Sequence, residues 1–122
     1  MGCFLAKSQY TYFNEEYNND QNSGATGIYE TDSGYIIGGW SAVVDNGEDM
    51  NKVLISTIDF EGNQLYWKTY GEHGWQFNIS QSGGFIRLSE GGMILTGWTF
   101  GPPLNTPSVW AEKLDNYGMI VN

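Results

Sequence analysis

The feature that most constrains this chain is an internal repeat. Tyr35-Ile36-Ile37-Gly38-Gly39-Trp40-Ser41 is echoed fifty-eight residues later by Met93-Ile94-Leu95-Thr96-Gly97-Trp98-Thr99. Extended upstream, Ile28–Ser41 aligns with Ile86–Thr99 and shares Ile28/Ile86, Gly34/Gly92, Ile36/Ile94, Gly39/Gly97 and Trp40/Trp98. Further on, Val53/Val109, Asp59/Asp115 and Gly62/Gly118 match at a spacing of 56, as a connection two residues shorter would produce. A period of this length signals one supersecondary unit used more than once.

The unit is made of strands. Seventeen Gly, nineteen aromatics and only five Lys plus Arg describe a strand-and-turn chain, and no window sustains a 3.6-residue apolar period. Short alternating or apolar runs cover 10–13, 27–31, 35–44, 52–60 and 64–70 in the first copy. In the second they cover 85–89, 93–100, 109–115 and the beginning of another strand at 119–122. Asp32-Ser33-Gly34, Glu61-Gly62-Asn63, Glu90-Gly91-Gly92 and Asn116-Tyr117-Gly118 read as tight turns. Segments 14–24, 45–51, 71–84 and 101–107 read as longer loops. In a serial antiparallel sheet the turns alternate between ends, so the tight turns share one end and the long loops the other. Binding more often resides on loops, which makes the long-loop end the functional pointer.

The strands are apolar on both sides. Tyr35, Ile37 and Gly39 point one way, and Ile36, Gly38 and Trp40 the other. Sheets covered on both faces and repeated every 56 to 58 residues predict an all-β chain of two four-stranded antiparallel repeats stacked as blades of a partial β-propeller. A compact two-sheet β-sandwich is the alternative. The expected organisation is a disordered or signal-peptide remnant over 1–9 and a single all-β domain over 10–122, with repeats at 10–67 and 68–122 and the second truncated. Gly39 and Gly97 are expected to let neighbouring sheets approach closely, with Trp40 and Trp98 in the core. Propellers close with about four to eight blades. Two repeats therefore imply a fragment of a longer chain or a homo-oligomer.

The motifs Asp32-Ser33-Gly34-Tyr35-Ile36-Ile37-Gly38-Gly39, Asp59-Phe60-Glu61-Gly62-Asn63 and Trp67-Lys68-Thr69-Tyr70-Gly71 resemble one repeat of a family of secreted bacterial β-propeller-like proteins. Those repeats run roughly D-G-G-Y-I-x-x-G-x-T, D-x-x-G-N and W-x-K-T-x-G-G. The resemblance implies an extracellular or cell-surface module and brings no shared catalytic residues. Trp40, Trp98 and Thr57 depart from its usual pattern.

Few side chains point to chemistry. Tyr17 and Trp75 stand at matching positions in polar loops, where an aromatic could stack on a sugar or peptide ligand or fold back on its own sheet. Asp45, Glu48 and Asp49 place three carboxylates within five residues, a candidate Ca²⁺ loop or a solvated acidic turn. His73 is the only histidine and, with one cysteine in the chain, builds no typical zinc site. A net charge of −9 argues against nucleic acid, and no apolar run is long enough for a membrane helix. Nucleophile-elbow, phosphate-loop and zincin motifs are absent from the sequence. The expectation is a non-catalytic extracellular module, a scaffold or binding segment for a glycan or protein partner. The alternative is a fragment of a propeller hydrolase acting on polysaccharide.

Overall fold

The computed structural model describes residues 14–17, 22–45, 47–79, 84–103 and 106–121. The expected remnant over 1–9 and strand over 10–13 lie outside the described residues. Among those described there is no helix, and so none long and apolar enough to cross a membrane. The architecture is all-β: two antiparallel sheets, each open rather than closed on itself.

The first sheet is a meander of four strands: β1 (Ser23–Glu30), β2 (Gly34–Asp45), β3 (Glu48–Asp59) and β4 (Gln64–Tyr70). The second contains β5 (Gln76–Ile79), β6 (Phe85–Arg87), β7 (Met93–Phe100) and β8 (Ser108–Leu114). Because β8 pairs with β7 from Met93 to Thr99, β5 and β6 must share the other edge of β7. They lie end to end along β7: Ile79 pairs with Gly97 and Phe85 with Leu95, two residues further along it. The first sheet has at the same place a one-residue bulge between Ala25 and Gly27 opposite Gly38 and Gly39.

Three tight turns are built alike. Asp59–Asn63, Leu88–Gly92 and Asp115–Met119 each close with two backbone hydrogen bonds around a glycine of positive φ at the fourth position, a three-residue hairpin loop. In two of them an aspartate locks the loop. Asp59 Oδ1 accepts the N–H groups of Glu61 and Asn63, and Asp115 Oδ1 accepts those of Tyr117 and Met119. The remaining tight turn, after β1, is shorter, with the Thr31 N–H bonded to the Gly34 carbonyl. That one-residue difference separates Ile28 from Ile86, which match in sequence. Ile28 pairs with Ile37, whereas Ile86 pairs with Ile94 on the opposite face of its sheet.

The sheets pack face to face. Tyr29, Ile36, Val53 and Ile55 of the first meet Phe77, Ile79, Met93, Leu95 and Leu114 of the second, all buried. Phe85 seats its ring on Gly27 and Gly38, where a methyl group on either would overlap it. The close approach of sheets is thus made by Gly38, one residue before the glycine expected to make it. Gly39 and Gly97 serve a different purpose. A methyl on Gly39 would overlap the Gly24 carbonyl, and one on Gly97 the Asn78 carbonyl, each belonging to the preceding strand of the same sheet. Both glycines stand where that strand begins to leave regular pairing, and a side chain there would meet backbone.

Two further expectations are corrected. Residues 45–51 are not a long loop. Strands β2 and β3 stay in register out to Asp45 opposite Glu48, joined by Asn46-Gly47 with Gly47 at φ 76°. Asn-Gly favours such a two-residue hairpin because both positions tolerate positive φ. Trp98 is not core: it is 41% exposed and stacks on Phe100 with ring centroids 5.4 Å apart. Trp40 is half-buried, its indole lying over Gly24.

Candidate functional site

The connection from β4 to β5, residues 71–75, carries the chain from one sheet to the other and is held by a buried ion pair. Lys52 Nζ reaches Asp45 Oδ2 at 2.8 Å and the carbonyls of Glu72 and Trp75 at 2.7 and 2.5 Å. Those three acceptors match the three donors of an ammonium group. Asp45 Oδ2 also accepts the Gly74 N–H at 2.6 Å. The Lys52 hydrogen bond, then that of Gly74, holds the Asp45 carboxyl below the usual carboxylate range despite its burial. Asp45 Oδ1 meets His73 Nδ1 at 2.5 Å, a contact that is a hydrogen bond only when that nitrogen carries a proton. The pair stitches the β2–β3 hairpin to the inter-sheet connection.

Beside this connection the sheets part into a cleft of about 440 Å³, within the range of small-ligand sites. Its floor is Val53, Leu95, Leu114 and Ile120. Its walls are aromatic: Tyr70 from the first sheet, Trp75 from the connection, Phe77 and Trp110 from the second sheet. Phe77 and Trp110 meet edge to face at 5.8 Å, and Trp75 lies half-buried against Gly101. Burial, and then a 2.7 Å hydroxyl–hydroxyl hydrogen bond with Tyr66, push the Tyr70 phenol well above its ordinary range and keep it neutral. The polar groups are Glu72, exposed, Glu112, half-buried, and Thr99, whose hydroxyl donates to the Gln76 carbonyl at 2.7 Å. Among the described residues no lysine or arginine lines the cleft. Apolar and aromatic walls with two carboxylates suit a neutral or cationic ligand that presents a flat apolar face, and repel an anion.

Of the residues that the sequence points to, the structure brings Trp75 and Glu72 into this cleft, with His73 beside them on the same connection. The side chain of His73 is 76% exposed and leans on Asp45. Tyr17 is elsewhere: its hydroxyl donates to the Gly62 carbonyl at 2.6 Å, at the tight-turn end of the first sheet. The match between Tyr17 and Trp75 therefore does not extend to space. Burial, with the charges of Glu15 and Asp59, raises the Tyr17 phenol. Asp45, Glu48 and Asp49 do not converge either, since Asp45 is consumed by Lys52, Gly74 and His73 while Glu48 and Asp49 are exposed on β3. Among the described residues no three His, Cys, Asp or Glu side chains are grouped to hold a metal ion.

Sequence reasoning missed Tyr70, Phe77, Trp110 and Glu112. Trp110 was the one within reach, because it follows Val109, the partner of Val53 in the repeat, and its side chain must point to the other face. Comparison with family models, curated proteins and solved structures finds no match for this chain.

Proposed function

We propose that this chain is a non-catalytic binding module of β-propeller type, working outside the cell or at its surface. Its ligand, a glycan or a segment of a protein partner, enters the cleft between Trp75 and Trp110. The observation that carries this reading is the cleft itself: four aromatic rings and two carboxylates open to solvent where the sheets part. Support for the propeller type comes from the order in which the sheets stack, with the repeat's two faces meeting each other rather than one face meeting its own copy. The extracellular assignment rests on the resemblance of the repeat motif.

Isothermal titration of the purified chain against oligosaccharides and basic or neutral peptides tests the proposal, with tryptophan fluorescence as a second readout. Trp110→Ala should keep its strand circular dichroism and bind at least about tenfold more weakly, the scale of a lost ring contact. A polysaccharide cleaved by the wild type but not by Glu112→Gln would favour the hydrolase reading instead. A chain that binds nothing, or binds equally well as Trp110→Ala, would remove the cleft from consideration.

A further inference from the structure

The aromatic cleft carries negative charge that the chain itself does not balance. Glu112 lies on β8 two residues from Trp110 and two from the buried Leu114, so the three share the face turned toward the first sheet. Its carboxylate is half-buried there, and Glu72 adds a second from the inter-sheet connection. Among the described residues neither carboxylate meets a lysine, an arginine or a hydrogen-bond donor. Lys52 cannot supply the counter-charge. Its three donors are committed to Asp45 and to the carbonyls of Glu72 and Trp75.

The rings are of the kind that attract cations, and two of them already do so. Lys52 Nζ stands 5.9 Å from the centroid of the Phe77 ring, and Lys68 Nζ 5.2 Å from that of Tyr70. Trp75 and Trp110 hold no such cation among the described residues, and indole is the ring that binds cations best. Nor does the repeat require this arrangement. At the spacing of 56, Trp110 and Glu112 answer to Leu54 and Ser56, which border a smaller hollow of about 190 Å³ on the outer face of the first sheet. No charged side chain among the described residues lines that hollow. Where the cleft opens, an indole and a carboxylate stand in the places of an aliphatic chain and a hydroxyl.

We propose that the ligand of this cleft is an organic cation, an ammonium or guanidinium group clothed in methyl or methylene groups, seated between Trp75 and Trp110 with Glu72 and Glu112 as its counter-charges. This rests on the cleft being the binding site of the module. Burial of the apolar shell, attraction to the ring faces and neutralisation of the two carboxylates act together, and the net charge of −9 concentrates cations around the molecule. A protein segment presenting lysine or arginine meets this chemistry, and an uncharged glycan does not.

Isothermal titration with choline and with dimethylbutanol, the same skeleton with carbon in place of the charged nitrogen, tests this. Choline should bind at least about tenfold more tightly, and the ratio should shrink as salt rises. Blocked tripeptides with a central lysine, arginine or glutamine repeat the comparison on a side chain. A lysine or arginine peptide that binds more tightly than choline identifies a protein segment as the source of the cation, and the reverse order a free amine. Glu112→Gln and Glu72→Gln change charge and not shape, so each should cut the choline-to-alcohol ratio at least about threefold with its strand circular dichroism unchanged. Should Glu112→Gln misfold, Glu72→Gln at its exposed position carries the test alone. An alcohol bound as tightly as choline, or a ratio that neither variant moves, would overturn the cation assignment and leave the binding module standing. Uptake of an oligosaccharide but of no cation would do the same. A chain that takes up none of these probes would lose both readings.

Discussion

The two sheets are copies in sequence and unequal in structure. In the first, β1 runs unbroken but for one bulged residue, and β2 and β3 turn tightly at Asn46-Gly47. In the second, β5 and β6 lie end to end in the place of that first strand, and a longer connection over 101–107 joins β7 to β8. What survives in both is informative. The bulge and the step between β5 and β6 occur opposite the same repeat position, and at that position both copies have a glycine beside a backbone carbonyl, Gly39 against Gly24 and Gly97 against Asn78. The repeated Gly-Trp pair thus records a local departure of the neighbouring strand rather than the meeting of the sheets. The glycine that does admit the other sheet, Gly38, has no glycine partner, because Thr96 at the matching position faces outward.

The sharpest way to break this comparison is at the glycines. Gly39→Ala and Gly97→Ala should each destabilise by about 3 kcal/mol, the upper part of the usual overpacking cost, because the obstructing atom is backbone. Gly38→Ala should cost about 1–3 kcal/mol and depend on Phe85, whose ring is the obstruction. In a double-mutant cycle with Phe85→Ala, Gly38→Ala should show a coupling of about 1 kcal/mol or more and Gly39→Ala none. Equal coupling at both positions would mean the two glycines act at one interface. Urea melts at constant m-value supply the free energies.

Much of this fold was legible because it is local. The strands, the tight turns and the two-copy plan follow from alternation, from Asp-x-x-Gly spacing and from the repeat itself. Asp59 and Asp115 even keep the same bonds, 56 residues apart. What was not legible depends on register and on which face meets which. One extra turn residue sends Ile86 to the face opposite Ile28, although the two align. The charges of Asp45, Glu48 and Asp49 suggest a solvated loop, whereas Asn46-Gly47 between them is a strong hairpin signal in its own right. The cleft lay beyond reach for a different reason. Tyr70, Phe77 and Trp110 converge only after two sheets have stacked, and nothing in their spacing announces it.

A smaller effect separates the β2–β3 connection from the β7–β8 connection. Four Gly-Ser residues inserted within 101–107 should cost well under 1 kcal/mol, since closure entropy rises by only about 0.6 kcal/mol per doubling of loop length. The same insertion after Gly47 should be several times worse, because it replaces a two-residue turn that sets the Asp45–Glu48 register and positions Asp45 for Lys52. Melting temperatures of the two insertion variants decide the matter. Equal tolerance would mean that the hairpin end is as free as the loop.

The smallest effect concerns acid. The Asp59 carboxyl is held below its ordinary range, first by the Asn63 backbone N–H and then by the Asn63 side chain, with the Glu61 and Gly62 amides adding to this against burial. A depressed pKa in the folded state means that the unfolded chain binds the proton more readily. The resulting stability is fully present above the unfolded value, about 3.9 for an aspartate, and is lost as pH falls through the lower folded value. Asp59→Asn keeps the shape of the turn but removes the titration. Its melting temperature should lie slightly below that of the wild type at neutral pH, and the gap should close as pH drops below about 4. The Asp45 carboxyl, lowered by Lys52, remains in the variant, so some acid sensitivity persists. A gap that stays constant from neutral pH to strong acid would show that Asp59 holds its turn through shape alone, with no contribution from its charge.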